Sequence, residues 1–411
     1  MRILMMTWEY PPRIVGGIAR HAEELSWALA ALGHEVHVIT CAFADAPADE
    51  RVRDVWVHRV HPYSPTNDFV HWVQQLNAAM FDRAAELVSD DDPAVKTPRG
   101  VTADRGVIVH AHDWVTHFSS ARLKHRFRIP MVCTIHATEF GRNRGLHTDG
   151  QRYIASVERD LITEAWRVVV CSEFMKHECE QTLGTPWDKM DVIPNGVNAD
   201  KFEFDFPPNE ASAFRAMFAA PEECLVMFTG RMVHEKGAHL LVEATRRLRD
   251  EMLPVKLVIV GGGHRTHLVD LAHGLGIADN VFFTGFLPDD SLLRLYRVAD
   301  CACYPSLYEP FGIVALEAMA AGTPVVVSDA GGLKEVVRHD HTGTVVWSGS
   351  LDSLVWGIRR AIVERDHARW MAGNAWHEVR SRFNWRHIAE QTAGTYERIW
   401  HEFVSSPWSE R

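Results

Sequence analysis

The feature that most limits this chain is an alternation of short apolar runs with amphipathic helical stretches, carried through twice. In the first half, residues 3–7, 35–40, 55–60, 107–110, 131–135 and 168–171 read as strands, with helices expected over 17–32 and 69–88. The second half repeats the plan with strands at 224–229, 257–260, 281–284, 301–304, 325–328 and 344–346 and helices that include 238–248 and 292–298. Strand–helix–strand order of this kind specifies an α/β fold with a parallel, doubly wound sheet. A length of 411 residues exceeds one typical core and suits two such domains of roughly 200 residues each. The expected division is 1–200, 201–383 and a terminal helical segment 384–411, with 202–223 as the connection and the polar stretch 89–105 as a surface loop.

Open parallel sheets bind ligands beyond the carboxyl ends of their strands, and the polar clusters of this chain fall at those ends. The segment Ser306-Leu307-Tyr308-Glu309-Pro310-Phe311-Gly312-Ile313 leads from a strand into a helix, Leu316 to Ala321, rich in good helix formers. Pro310 and Gly312 keep Glu309 outside that helix, and Glu317 lies about two turns into it. Gly322 ends the helix, and Thr323-Pro324 opens the next strand. The free amides at such a helix start suit an anionic group, with the two carboxylates nearby for sugar hydroxyls. Upstream, Gly230-Arg231 and Lys236-Gly237 bracket a turn, so both cations can face one anion. Gly16-Gly17 opens a helix after the first strand and offers backbone amides to a phosphate.

Two further strands end in His110-Ala111-His112-Asp113-Trp114 and in Thr134-Ile135-His136-Ala137-Thr138-Glu139-Phe140-Gly141. His110, His112 and Asp113 lack the additional ligands of a defined metal centre, so no metal is expected there. Asp90-Asp91-Asp92 follows a helix in a polar stretch and reads as a solvated acidic turn. Gly261-Gly262-Gly263 is not the Gly-x-Gly-x-x-Gly of nicotinamide-binding folds.

Taken in order, these motifs resemble the retaining glycosyltransferases of the GT-B fold, in the glycogen and starch synthase-like group of family-four type. The resemblance covers nearly the whole chain. It implies two Rossmann-like domains facing a deep cleft, an acceptor-side N-terminal domain, a nucleotide-sugar-binding C-terminal domain, and a terminal helix that crosses back to the first domain. It implies that Arg231 and Lys236 stabilise the leaving diphosphate and that Glu317 accepts hydrogen bonds from the ribose diol. Glu309 would contact the donor sugar, with the amides of Phe311, Gly312 and Ile313 near it. His136 would bind a hydroxyl of the transferred sugar, Asp113 would sit beside that sugar or the acceptor, and Glu139 would meet the acceptor. The Gly16-Gly17 loop would lie against the donor phosphates. Glycogen synthases carry Lys-x-Gly-Gly at that loop, whereas this chain has Ile14 at the lysine position and Arg13 one residue earlier.

The activity implied is metal-independent, anomer-retaining transfer of a glucosyl or other hexosyl unit from ADP-glucose or UDP-glucose to an α-glucan, with no cofactor. Transfer to glucose 1-phosphate, another small sugar or a lipid is the alternative within the class. A sugar-nucleotide epimerase and a non-catalytic glucan-binding module are the rivals outside it. A net charge of −11 argues against nucleic acid as a partner. No apolar run reaches the ~20 residues of a membrane span, and the short apolar start at residue 3 is no signal segment. Seven cysteines without a CxxC pair suit buried thiols in a reducing, cytoplasmic setting. The basic stretch 121–128 reads as a solvated helix face, with a polymer or membrane surface as the other reading. The oligomeric state is left open.

Overall fold

The computed structural model describes residues 1–410, which form two compact units: Met1–Asn195 together with the segment from Trp385, and Gly196–Asn384. In unit 1 the strands are β1 (Arg2–Met6), β2 (Glu35–Cys41), β3 (Asp49–Val52), β4 (Val55–Val60), β5 (Val107–His112), β6 (Met131–Ile135), β7 (Arg167–Val170) and β8 (Met190–Val192). They form one 8-stranded sheet in the order β3-β4-β2-β1-β5-β6-β7-β8, parallel except where β3 meets β4. The central strands are apolar without alternation because helices cover both faces: Ile3, Leu4, Met5 and Met6 are all fully buried.

Unit 2 carries β9 (Cys224–Thr229), β10 (Val255–Val260), β11 (Val281–Gly285), β12 (Cys301–Tyr304), β13 (Val325–Ser328) and β14 (Thr344–Val346). Its 6-stranded sheet is parallel throughout, in the order β11-β10-β9-β12-β13-β14. Each sheet has one place where the strand order reverses: β1 lies between β2 and β5, and β9 lies between β10 and β12. Crevices at such switch points are where doubly wound sheets hold ligands.

The helix Trp385–Val404 belongs to unit 1 and packs on the helix Gly17–Ala31. Its buried residues Ile388, Thr392, Tyr396, Ile399, Trp400 and Phe403 recur at three- and four-residue steps, which draws one apolar stripe along the helix. Each fully buried large side chain of this kind contributes roughly 1.5–3 kcal/mol. Polar atoms on that stripe are also engaged: Trp400 Nε1 donates to the Val101 carbonyl at 3.1 Å, and the Tyr396 hydroxyl lies 2.6 Å from His110 Nδ1.

Several stretches differ from the reading of the sequence. Residues 202–223 contain a helix, Pro208–Arg215, begun by a proline whose missing N–H costs nothing in the first turn. β3 is an edge strand spelled Asp-Glu-Arg-Val, so its sequence carries no apolar signal. Within 89–105, Asp92 caps the short helix Pro93–Lys96 and binds Arg2 at 2.9 Å, while Asp91 pairs with Lys96 and Asp90 with Arg126. The acidic turn is therefore consumed in ion pairs. The basic stretch is consumed likewise: Lys124 and His125 reach Glu164 at 2.7 and 2.9 Å, and Arg122 stacks on Phe81 at 3.7 Å. All seven cysteines are buried, and none is in a disulfide. No helix among the described residues is long and apolar enough to cross a membrane.

Candidate active site

At the β9/β12 switch point of unit 2, the turn after β9 and the loop after β12 come together. Lys236 Nζ lies 2.7 Å from Glu309 Oε2, and Ser306 Oγ donates to the same oxygen at 3.3 Å. Glu309 is 7% exposed, so this contact is held in a largely water-excluded place. Gly237 makes the approach of the two segments feasible. Its φ is 72°, and a Cβ there would lie 2.1 Å from the Pro305 carbonyl oxygen. Arg231, on the same turn, is half-exposed and stands 3.7 Å from Glu235. Gly312, at φ 110°, starts the helix Ile313–Ala320 with no side-chain cap on its first amides. Those amides carry the positive end of the helix dipole. Glu317, on that helix, accepts a hydrogen bond from the Tyr296 hydroxyl at 2.8 Å, and Tyr296 also meets Thr229 Oγ1 at 2.8 Å. Burial and the nearby Glu317 charge push the Tyr296 hydroxyl well above its ordinary pKa, so it stays a donor. Two cations, two carboxylates and an uncapped helix start thus share one sheet edge.

The β1/β5 switch point of unit 1 is built differently. Asp113 follows β5 with φ 57° and ψ 171°, a conformation that costs a non-glycine residue about 1–3 kcal/mol. Its own N–H, which donates to the Thr134 carbonyl at 3.0 Å, and its Oδ1, which accepts from the His136 N–H at 2.8 Å, hold it there. Arg142 lies 3.5 Å from Oδ2. Burial raises the Asp113 pKa to about 6, against the lowering by Arg142 and the His136 N–H. Glu139 starts a short helix capped by Thr138, and its N–H donates to Glu158 Oε1 at 2.8 Å. Glu158 is 2% exposed, its Oε2 has no hydrogen-bond partner, and burial raises its pKa to about 8. The carboxyl is therefore neutral at pH 7.

Three imidazoles meet beside Asp113. His112 Nδ1 is 3.0 Å from His136 Nε2, His21 Nδ1 is 2.7 Å from Asn195 Oδ1, and the His21 ring stands edge-on to His136 at 4.7 Å. Burial lowers all three pKa values, His21 to about 4, so the cluster is neutral. One ring nitrogen from each lies within 4.8 Å of the others, the only such group of metal-type ligands among the described residues. The 3.0 Å contact is itself a hydrogen bond between two neutral rings, while His112 Nε2 and His21 Nε2 are buried without a partner.

The glycine turn after β1 holds a surprise: the N–H groups of Val15 and Gly16 both donate to Glu9 Oε2, at 2.7 and 2.8 Å. An anion approaching this turn meets Gly17, which opens the helix, with the Glu9 carboxylate already seated beside it. Arg13 stacks on Trp8 and Trp72, at 5.4 and 5.7 Å from the ring centres, and Ile14 is exposed.

The structure thus gathers Arg231, Lys236, Glu309, Gly312 and Glu317 at one edge of unit 2, and Asp113, His136 and Glu139 at one edge of unit 1. Phe311 is buried against Phe383, and Ile313 is half-buried at the helix start. Glu9, His21, Arg142, Glu158 and Tyr296 were not singled out from sequence. His21 alone had a signal, lying one helical turn after Gly17 and so over the strand ends.

Two parallel-sheet units of this kind are also found in a solved sucrose-phosphate synthase of Thermosynechococcus elongatus. It superposes with a TM-score of 0.82 over 98% of this chain and 99% of that one, at 24% identity. Fold and site define a two-domain glycosyltransferase of the GT-B fold. Residues 15–201 match Glycosyltransferase Family 4, and residues 211–377 match Glycosyl transferases group 1. An uncharacterized glycosyltransferase of Methanocaldococcus jannaschii is 40% identical over 97% of this chain and 98% of its own length. A glycogen synthase of Mycobacterium tuberculosis is 35% identical over 96% of this chain and 94% of its own. The chain belongs to glycosyltransferase family 4.

Proposed function

We propose that this glycosyltransferase moves a glucosyl unit from ADP-glucose or UDP-glucose to the end of an α-glucan, with retention of the anomeric configuration and without a metal ion. The observation that carries the reading is the Lys236–Glu309 contact at the β9/β12 switch point, flanked by Arg231 and by the uncapped helix start at Gly312. A cation, a sugar-binding carboxylate and free amides in one place match the two halves of a sugar diphosphate. The M. tuberculosis relative, named a glycogen synthase, supports glucan as the acceptor.

In this reading Arg231 and Lys236 hold the diphosphate and stabilise the charge that grows as the C1–oxygen bond breaks. The amides of Phe311, Gly312 and Ile313 add to that field. Glu317 takes the ribose diol and Glu309 the hydroxyls of the hexose. His136 offers a neutral imidazole to another hydroxyl of that hexose, and Asp113 acts through it by holding its backbone N–H. Gly17, at the helix start, borders the phosphates, with the Gly16 amide taken by Glu9, and Glu139 meets the acceptor. The acceptor oxygen forms the new bond to C1 on the face the diphosphate leaves, and its proton passes to the departing phosphate oxygen. No second carboxylate attacks, unlike a retaining glycosidase.

Assays with ADP-glucose and UDP-glucose against glycogen, maltose, glucose 1-phosphate and a lipid acceptor test the reading, with NMR of the first product. Transfer to glycogen with an α-linkage from the α-donor is expected. Transfer to glucose 1-phosphate alone moves the enzyme to the small-acceptor class, a β-linked product removes retention, and an epimerised donor without acceptor makes it an isomerase.

A further inference from the structure

Beyond β13 and β14, unit 2 has a second concavity of about 700 Å³ that the proposed reaction does not use. Its walls include Trp347, Trp356, His339, Asp329, Asp352 and Ser353. Trp347 is 72% exposed and Trp356 42%, although both are large apolar rings that a solvated surface does not favour. Both residues are anchored. The Trp347 backbone N–H donates to Ser353 Oγ at 3.0 Å, which fixes the backbone that carries the ring, and Trp356 is flanked by His339 at 6.2 Å and by the Arg360 guanidinium at 5.5 Å. Asp329 accepts from the Ser348 N–H through Oδ1, and Asp352 accepts from Arg247 through Oδ1. In each carboxylate that leaves Oδ2 for a ligand.

We infer that this concavity is a carbohydrate-binding subsite that holds a glucan chain away from its reacting end. Flat aromatic faces beside carboxylate oxygens are the complement of a pyranose, which has apolar C–H faces and equatorial hydroxyl donors. Two carboxylates line it, and the cations beside it are already paired, Arg247 with Asp352 and Arg360 with Asp340 and Glu364, which disfavours a phosphate, a nucleotide or an acidic polymer. A neutral polyol is the ligand left. The inference rests on the glucan reading above.

The subsite is also tied to the donor edge of the same unit. Ser348 Oγ donates to the Ser306 carbonyl at 3.1 Å, and Ser306 Oγ donates to Glu309. A chain seated on Trp347 is thus held two hydrogen bonds from the carboxylate assigned to the donor sugar. The same face continues to Trp370, 52% exposed and stacked on His367, which shares Asp340 with His339. Binding here raises the local concentration of chain ends without touching the reacting atoms.

The test uses the full chain, with Trp347→Ala, Trp356→Ala and, as a control, Trp187→Ala, which removes an exposed tryptophan of unit 1. Migration in native gels cast with glycogen, together with steady-state transfer to glycogen and to maltose, gives the readout. Wild type and the control should be retarded by glycogen. Trp347→Ala and Trp356→Ala should bind it roughly tenfold more weakly, the scale of losing an aromatic anchor. Their KM for glycogen should rise in proportion while kcat with maltose stays at the wild-type value. Unchanged retardation and KM in both variants, in an enzyme that does use glycogen, overturns the subsite and leaves the function standing. A wild-type enzyme that uses no glucan at all removes the glucan reading and the subsite with it. A halved molar mass in light scattering on Trp347→Ala marks the face as a contact between two copies and also overturns the subsite.

Discussion

The two switch points sit on similar sheets yet carry opposite electrostatics. At the unit 2 edge the working groups form charge pairs: Lys236 against Glu309 in a largely water-excluded place, and half-exposed Arg231 beside Glu235, next to an uncapped helix start. At the unit 1 edge burial favours neutral groups, as His21, His110, His112 and His136 are held below their ordinary pKa and Glu158 above its own, while Asp113, raised only to about 6, keeps its charge against Arg142 at pH 7. A charged edge suits a ligand whose charge grows during reaction, because fixed cations there need no reorganisation. A neutral edge suits hydroxyl groups, which need hydrogen bonds rather than fields. The fold supplies the same crevice twice, and the side chains divide the chemistry.

The largest effect should come from removing the cations of the charged edge. Arg231→Ala and Lys236→Ala should each lower kcat at saturating donor by about 10²–10³, with little loss of thermal stability. Lys236→Ala also leaves Glu309 without its 2.7 Å partner, so it should be the more damaging of the two. Turnover close to wild type in both variants would dissolve the contrast, since the unit 2 edge would then bind no diphosphate.

The second break point is acid. A buried histidine with a lowered pKa contributes stability that is complete above its unfolded pKa near 6.5 and is lost as pH falls toward the folded value, about 4 for His21 and about 3 for His110. The raised carboxyls work the other way over part of this range, but four buried imidazoles outnumber Asp113 and Glu158. Unit 1 should therefore weaken by a few kcal/mol between pH 6.5 and 4.5. Hydrogen exchange resolved by unit should show protection falling first around β1, β5 and β6. Equal loss of protection in both units would mean that the histidines ionise without unfolding cost.

How much of this was legible in sequence follows the same divide. The charged edge is local: Gly230 to Gly237 and Ser306 to Glu317 are short segments whose glycines, prolines and ionic residues sit in one turn each. Their spacing survives into the fold. The neutral edge is assembled from distant segments, and its features exist only after packing. Nothing near Glu158, on the helix Asp149–Glu164, marks it as a protonated acid until the Glu139 N–H and the surrounding burial are in place. Glu9 likewise lies next to a turn read as an anion cradle, and only the folded turn shows the carboxylate filling it. The strands were readable where helices cover both faces. β3, β8 and the helix Pro208–Arg215 were not: β3 is a charged edge, β8 a three-residue edge strand spelled Met-Asp-Val, and the helix opens on Pro207-Pro208, which read as a linker.

Glu158 allows a sharper test of the neutral edge. A carboxyl with a raised pKa favours folding in its protonated form, so stability falls as pH climbs from the unfolded value near 4.5 to about 8. Glu158→Gln keeps the shape and cannot ionise. Its thermal stability relative to wild type should rise through that window with a slope of about 1 kcal/mol per pH unit. A difference that stays constant from pH 5 to pH 8 would show that Glu158 is ionised in the fold.

The smallest expected effect is none at all, on exhaustive chelation. Two features bear on it, one at each edge. At the unit 2 edge, in the reaction proposed above, Arg231 and Lys236 take the part that a divalent ion plays on a diphosphate elsewhere. At the unit 1 edge, His21, His112 and His136 hold neutral ring nitrogens within 4.8 Å of one another, the protonation state a metal would need. The His112–His136 hydrogen bond at 3.0 Å and the His21–Asn195 contact at 2.7 Å engage one nitrogen of each ring, and His21 Nε2 and His112 Nε2 are left without a protein partner. Transfer rates should be the same before and after chelation, and metal analysis of the purified protein should find no stoichiometric ion. The two ways of failing separate the edges. Loss of turnover restored by Mg²⁺ or Mn²⁺ places an ion on the diphosphate and makes the cation pair insufficient. Loss of thermal stability restored by Zn²⁺, and abolished by His21→Asn, places it on the three histidines and turns the neutral edge into a charged one.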